Sequence, residues 1–446
     1  MIAVDLAQRE ASGKPIRVAL VGAGRFGTTV AAQLGQMPGM RLAVVADLRS
    51  ANALGAWEAN GRKDAIEATG VAIAESAVAR GRPVYTTDPT IALSAPVDVV
   101  IEATGHIEAA IRTALGAFER GKHVVMVTVE ADVLAGARLR QLADRAGVVY
   151  TLADGDQPAV TYRLYEWARA LGYRVVAAGR GTRRYPADNA GLPEEAFARY
   201  GYDEELTTRR RFNPQMYNSF RDGSKAQIEM AALANATGLV PDRRGMHEPS
   251  AGVRDLPSLF RPKSRGGLLD REGVVDLANV VAPNGESDVV GGQANGVWVV
   301  VTSDNPYLQE DLAFYGLPAS EDKTHAVMYR PFHLCGTETP LSAAEACLYG
   351  RATAAALPRP VADVLTVAKR DLRAGDILDG SGGRLVRGLI ERASVARAGG
   401  FLPLGLAQGA RLKVDVAADQ PITYAQIELP EGSAALRVRQ EQDASW

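Results

Sequence analysis

The stretch IRVALVGAGRFGTTVAAQL constrains this chain more than any other. Gly22, Gly24 and Gly27 stand in G-x-G-x-x-G spacing, directly after a β-rich apolar run and directly before a run of helical periodicity. Each glycine answers a separate need. The first permits a tight turn, the second leaves the backbone open to a pyrophosphate, and the third lets helix and strand pack closely, while the helix N-terminus attracts the anion. Asp47 ends the next apolar run, 20 residues after Gly27, where a carboxylate can accept both hydroxyls of an adenosine ribose. These features predict a Rossmann unit that binds a dinucleotide, with Gly22, Gly24, Arg25, Phe26 and Gly27 around the pyrophosphate and Asp47 at the ribose. Asp47 favours NAD by repelling a 2′-phosphate, but Arg49 and Ser50 offer one a site, so NADP stays open.

The pattern around this motif alternates short β-rich runs with longer helical ones, as a parallel sheet covered on both faces does. IRVALVG, LAVVAD, VYTT, VDVVIEATG, HVVMVT and VVYTLAD read as strands. TTVAAQLGQM, residues 64–80, HIEAAIRTALGAFERG and LAGARLRQLADRAG read as helices. One doubly wound domain over residues 1–153 accounts for all of them. EATGH, Glu102 to His106, lies at the carboxyl end of a strand, where such sheets hold ligands. Thr104 and Gly105 are expected on the nicotinamide side, and His106 reads as a helix-start residue.

From residue 154 the character changes. Helical YRLYEWARALG and strand-like YRVVAAG precede a long polar segment from Arg180 to about Ser224, which reads as a lid or substrate loop. Helical AQIEMAALANATGLV and the β-rich GVWVVVTS and HAVMYRPFHL follow, so residues 154–357 are expected to form an α+β substrate domain. Pro358 and Pro360 mark a boundary before a small Gly-rich β domain, residues 358–446. The expected class is therefore α/β, with an N-terminal Rossmann domain, a central α+β domain and a small β-rich C-terminal domain.

Composition narrows the partners. Lys plus Arg number 50 against 52 Asp plus Glu, a formal net charge of -2, and no single-sign run points to nucleic acid or a membrane surface. The two cysteines, Cys335 and Cys347, have neither metal-site spacing nor the density of a disulfide framework. The polar opening segment and the lack of a long apolar run predict a soluble, cytoplasmic protein whose partner is a small molecule.

NPQMYNSFRDGSKAQIEM carries the strongest candidates for chemistry. Asp222 and Lys225, three residues apart at a helix start, either shuttle the hydroxyl proton that accompanies hydride transfer or form a helical salt bridge. Arg180, Arg183 and Arg184 either clamp an oxyanion or stand solvated on a loop. Asn218 and Ser219 within this stretch and Asn235 beyond it are expected, with Arg183, to bind substrate. Asp154 and Asp156 in ADGDQPA read as turn formers, with a cation or substrate role open. His333 reads as a satisfied core residue.

With these residues in view, the chain resembles homoserine-dehydrogenase-like oxidoreductases that carry a C-terminal SAF domain, a group that includes 1-deoxy-D-xylulose 5-phosphate reductoisomerase-like enzymes. The resemblance runs through VGAGRFG, VIEATG, HVVMVTVEADV, DGSKAQIEMAALANATGLVPD with GMH, YRPFHL, and AKRDLRAGDILDG followed by LPLGLAQGARL. It implies NAD or NADP as cofactor, a possible divalent cation with ligands unknown, and a homo-oligomer. It also implies catalytic roles for Asp222, Lys225 and Arg180. Where reductoisomerase-like members carry a G-K-G lysine, this chain has Arg180 in GRG, which keeps a cation but removes a titratable amine. The expected activity is redox chemistry on a small anionic hydroxy-carbonyl compound, with reductoisomerisation of 1-deoxy-D-xylulose 5-phosphate to 2-C-methyl-D-erythritol 4-phosphate as one candidate. A dehydrogenase of another sugar acid or sugar phosphate is the first alternative, and a non-catalytic sensor of dinucleotide or sugar acid the second.

Overall fold

The computed structural model describes residues 1–210 and 212–445, which divide into two compact units. The first unites Met1–Ala159 with Leu334–Pro358 and Ser433–Trp446, and the second unites Val160–His333 with Arg359–Gly432.

In the first unit, β1 (Ile16–Val21), β2 (Met40–Ala46), β3 (Ile66–Glu67), β4 (Val84–Thr86), β5 (Val99–Glu102), β6 (His123–Met126) and β7 (Tyr150–Leu152) form one parallel sheet. Their order is β3-β4-β2-β1-β5-β6-β7, the doubly wound order with β3 added at one edge. Chain progression reverses between β1 and β5, so the crevice beyond their carboxyl ends is where this topology holds ligands. Strands buried on both faces must be apolar throughout, and Val18, Leu20, Val99 and Ile101 are fully buried.

Distant segments complete this unit. The helix Thr339–Tyr349 packs on β5 and β6, and Leu152 N donates to Ala354 O, 2.8 Å away. The helix Val129–Arg145 kinks at Ala135 (φ -146°), and the helix Ala434–Ala444 repairs the break. Arg138 N donates to Gln442 Oε1, and Leu134 O accepts from Arg439 and Gln442. Glu108 in turn caps the start of that last helix, accepting from Ala434 N and Ala435 N.

In the second unit, β8 (Arg174–Thr182), β9 (Val240–Pro241), β10 (Val274–Asn279), β11 (Val297–Thr302) and β12 (His325–Arg330) form a mixed sheet of order β12-β11-β8-β10-β9. β8 runs parallel to β10 and antiparallel to β11. The alanine-rich helix Ser224–Thr237 is buried from Ser224 to Ala236, with β8 and β10 against it and the hairpin of β13 (Ala362–Ala368) and β14 (Val386–Arg392) packed on it as well. Enclosed on these sides, its polar residues Ser224, Gln227, Glu229 and Asn235 find their partners within the protein. β15 (Arg411–Leu412) and β16 (Ile427–Glu428) form a second small ladder. The architecture is the expected α/β class.

Several local expectations need correction. The polar segment after Arg180 is not a loop but a run of short helices, Ala196–Arg199, Glu204–Arg209 and Pro214–Arg221. The rings of Phe197, Tyr200, Tyr202, Phe212, Tyr217 and Phe220 pack on one another there, giving the segment its own apolar centre. The N-terminal stretch forms the helix Ile2–Ala11, and residues 64–80 hold β3 before the helix Val71–Ala79. Among the described residues no helix is long and apolar enough to cross a membrane.

Candidate functional site

At the carboxyl end of β1, steric contact explains two of the three glycines of the turn. A Cβ on Gly22 (φ 95°) would stand 2.5 Å from Ala103 C, and one on Gly27 would stand 2.0 Å from Gly22 O. Gly24 would meet nothing within 4 Å, so its surface is the open side of the turn. It also precedes the helix Arg25–Leu34 without any side-chain cap, leaving the helix N-terminus to an anion. Arg25 and Phe26 open this helix.

Asp47 does more than stand at the end of β2. Its carboxylate accepts from Ala23 N at 2.8 Å, Arg49 N at 2.9 Å and Asn52 Nδ2 at 3.0 Å. Arg49 is exposed at the start of the helix Ser50–Ala59. Across the crevice, Glu102 is fully buried and accepts from Thr104 N at 2.8 Å and Thr104 Oγ1 at 2.5 Å. Burial pushes its carboxyl up, against the opposing pull of the Thr104 and Thr128 hydrogen bonds. Gly105 N donates to Thr128 Oγ1 at 3.0 Å, and His106 stands at the N-cap of the helix Ile107–Phe118. An open, uncapped helix start beside a braced glycine turn and a ribose-side carboxylate fits a dinucleotide.

In the second unit, Asp222 lies at the C-cap of Pro214–Arg221 rather than on the helix of Lys225, and Gly223 (φ 83°) turns the chain between them. Its side chain has no exposed surface. Oδ1 accepts from Ser224 N at 2.9 Å, and Oδ2 lies 2.7 Å from Lys369 Nζ. Burial pushes the Asp222 carboxyl up, and the Lys369 ammonium pulls it back. Lys225, in the first turn of the helix, keeps 8% of its surface. One turn further on, Glu229 accepts from Arg180 Nη1.

Two of the three arginines are not solvated. Arg180 lies buried on β8, its Nε donating to Gly181 O, and GRG is strand, not loop. Arg184 donates to Glu248, Nε at 2.7 Å, and Thr182 Oγ1 bonds the same carboxylate. Arg183 pairs at the surface with Asp288. Glu248 and Met246 both hold positive φ (48° and 68°), a conformation costly for side chains other than glycine. Asp276 Oδ1 stabilises that bend by accepting from His247 N and Glu248 N, each at 3.0 Å, and burial pushes the Asp276 carboxyl up to about 6.

Other expected site residues turn out to hold the fold. Asn235 accepts from Val361 N and Ala362 N and donates to Ala362 O, so its amide is committed to β13. Asn218 donates to Gly191 O and Gly382 O, and Ser219 donates to Met216 O. Asp154 and Asp156 accept from the N–H groups that follow them, as turn formers do. His333 is not in a core: it follows β12 in a partly exposed loop, its Nδ1 2.9 Å from Asn295 O. Among the described residues no group of three or more His, Cys, Asp or Glu could hold a metal ion.

Comparison with known families agrees with this geometry. Residues 22–152 match the NAD binding domain of homoserine dehydrogenase, residues 155–339 the catalytic domain of oxidoreductase DRL, and residues 365–428 the SAF domain. The chain is an NAD(P)-dependent oxidoreductase. No curated protein matches it. Among solved structures, a probable dehydrogenase from Thermotoga maritima is 14% identical, over 64% of this chain and 72% of that one, with a TM-score of 0.34. A myo-inositol dehydrogenase from Lactobacillus casei, in complex with NAD(H) and myo-inositol, is 19% identical over 41% of this chain and 50% of its own, with a TM-score of 0.30. The oxidoreductase thus spans about half the length of the latter.

Three functional candidates of the oxidoreductase were not singled out from sequence: Glu229, Glu248 and Lys369. The only sequence signal for the first was its i+4 spacing from Lys225, which puts both on one helix face.

Proposed function

We propose that the oxidoreductase transfers a hydride between a nicotinamide dinucleotide and a small anionic hydroxy-carbonyl substrate, with reductoisomerisation of 1-deoxy-D-xylulose 5-phosphate to 2-C-methyl-D-erythritol 4-phosphate as the first reaction to test. The observation that carries this reading is the charge gathered around the start of the helix Ser224–Thr237. Three ion pairs converge there, Arg180 with Glu229, Arg184 with Glu248 and Lys369 with Asp222, beside Lys225 in the first turn. Guanidinium and ammonium groups in a poorly solvated setting hold an anion more strongly than they would in water.

Bound nicotinamide supplies or accepts the hydride. Lys225, which keeps surface where Asp222 has none, is the residue we assign to the substrate oxygen, donating a proton as a carbonyl is reduced and receiving it in the reverse direction. Asp222 holds the turn that carries it. Arg180 and Arg184, each already partnered by a carboxylate, keep further N–H groups that can bind an oxyanion.

The test follows absorbance of reduced nicotinamide with the purified protein and a panel of keto and hydroxy sugar phosphates and sugar acids. Turnover of one panel member is expected, and Lys225→Met should lower it by about a hundredfold with cofactor affinity intact. Tight cofactor binding with no turnover of any member would sink this reading in favour of a sensor. Self-association belongs to the same reading, because Tyr307, Phe314 and Tyr315 stand largely exposed along the helix Pro306–Phe314 and its end, and light scattering tests it.

A further inference from the structure

Lys369 lies just beyond the end of β13, in the segment that matches the SAF domain, yet its side chain is 99% buried, with 1% exposed. Its ammonium has three donors, and three oxygens face it: Asp222 Oδ2 at 2.7 Å, Gly383 O at 2.6 Å and Gly191 O at 3.2 Å. The other oxygen of Asp222 accepts from Ser224 N, the first amide of the helix that bears Lys225. A path of direct contacts therefore leads from the SAF segment to the turn on which Lys225 stands.

The same segment grips that helix along one stripe. Gly388 N donates to Ser224 Oγ at 2.8 Å and Ile390 N to Gln227 Oε1 at 2.9 Å, and just ahead of the segment Val361 N donates to Asn235 Oδ1 at 2.8 Å. Lys225 and Glu229 lie on a different stripe, which meets β8 through Arg180. The hairpin thus fixes the rotation of the helix and Lys369 fixes its first turn. A filler at position 369 would need no charge, since an apolar side chain fills a core at lower desolvation cost. The ammonium instead gives Asp222 one direction in which to point.

We propose that Lys369 is a positioning residue of the active site, holding Asp222 so that the first turn of the helix Ser224–Thr237 presents Lys225 to substrate. The SAF segment is then part of the catalytic apparatus. This rests on the assignment of Lys225 in the preceding section.

Two variants of the full chain test it, Lys369→Met and Lys369→Met with Asp222→Asn, the second removing both buried charges so that folding does not depend on the pair. In each, amide hydrogen exchange over residues 223–227 should rise by about tenfold against an unchanged β8. In each, kcat should fall by about tenfold while the cofactor KM stays within about twofold. Unchanged protection of that turn in a folded variant would overturn the proposal, as would a kcat equal to that of the wild type. If the wild type turns over no panel member, the functional reading fails separately, and the exchange result alone decides this one.

Discussion

The backbone N–H of Ala23 donates to the Asp47 carboxylate across 2.8 Å, which ties the glycine turn after β1 to the end of β2. Arg49 N and Asn52 complete the hold on that acid. Asp47→Ala removes these three bonds together with the negative charge that opposes a 2′-phosphate. NADH affinity should fall by about tenfold, ~1.4 kcal/mol, and NADPH affinity by less. Fluorescence titration with both cofactors checks it. Equal losses would detach Asp47 from cofactor choice.

Two glycines of the same turn should fail in different ways. An alanine at Gly27 would bring its Cβ 2.0 Å from Gly22 O, so the turn must move, at a cost of about 1–3 kcal/mol. An alanine at Gly24 meets no protein atom within 4 Å. Gly24→Ala should melt like the wild type without cofactor and lose most of the rise in Tm that NADH induces. Gly27→Ala should lose both. Thermal melts with and without NADH separate the two cases.

How much of this was legible depends on the length and regularity of each element. β1, β2 and β5 and the turn at Gly22 were readable because apolar runs and glycines lie adjacent in sequence. The helices between Ala196 and Arg221 were not, because each is four to eight residues long and their aromatic residues share no single stripe. GRG looked like a loop, yet Gly179 and Gly181 sit in β8, where a Cβ would strike Asp276 O at 1.9 Å and Gln293 O at 1.7 Å. Lys369 was hidden for another reason. Nothing in AKRDL marks it for burial, and only the folded chain brings it to Asp222.

Arg180 and Glu229 should show how far the charged cluster serves stability and how far it serves binding. Both side chains are buried, so Arg180→Met leaves the Glu229 carboxylate without a counter-charge, at a cost of about 3–5 kcal/mol. Adding Glu229→Leu removes the stranded charge and should restore most of that stability in denaturant unfolding. If Arg180 also holds the substrate anion, the double variant should fold normally but show a substrate KM raised by about tenfold or more. A normal KM would confine Arg180 to the fold.

Asp132 gives the first unit a pH dependence of its own. It is fully buried in the helix Val129–Arg145, where Oδ1 accepts from Tyr150 OH at 2.9 Å, and burial pushes its carboxyl up from 3.8 to about 7. The unfolded chain releases this proton near pH 4, whereas the folded chain keeps it until about pH 7. Between those limits the folded state binds more protons, so this residue lowers stability as pH rises, by about 1.4 kcal/mol per pH unit. The shift amounts to roughly 4 kcal/mol above pH 7. Asp132→Asn keeps an acceptor for Tyr150 but cannot ionise. Below pH 4 the variant and the wild type should differ little, while at pH 8 the variant should be the more stable by a few kcal/mol. Other titrating groups cancel in the difference between the two proteins. Denaturant unfolding at both pH values measures it, and a difference that does not change with pH would show that Asp132 is already ionised in the folded protein.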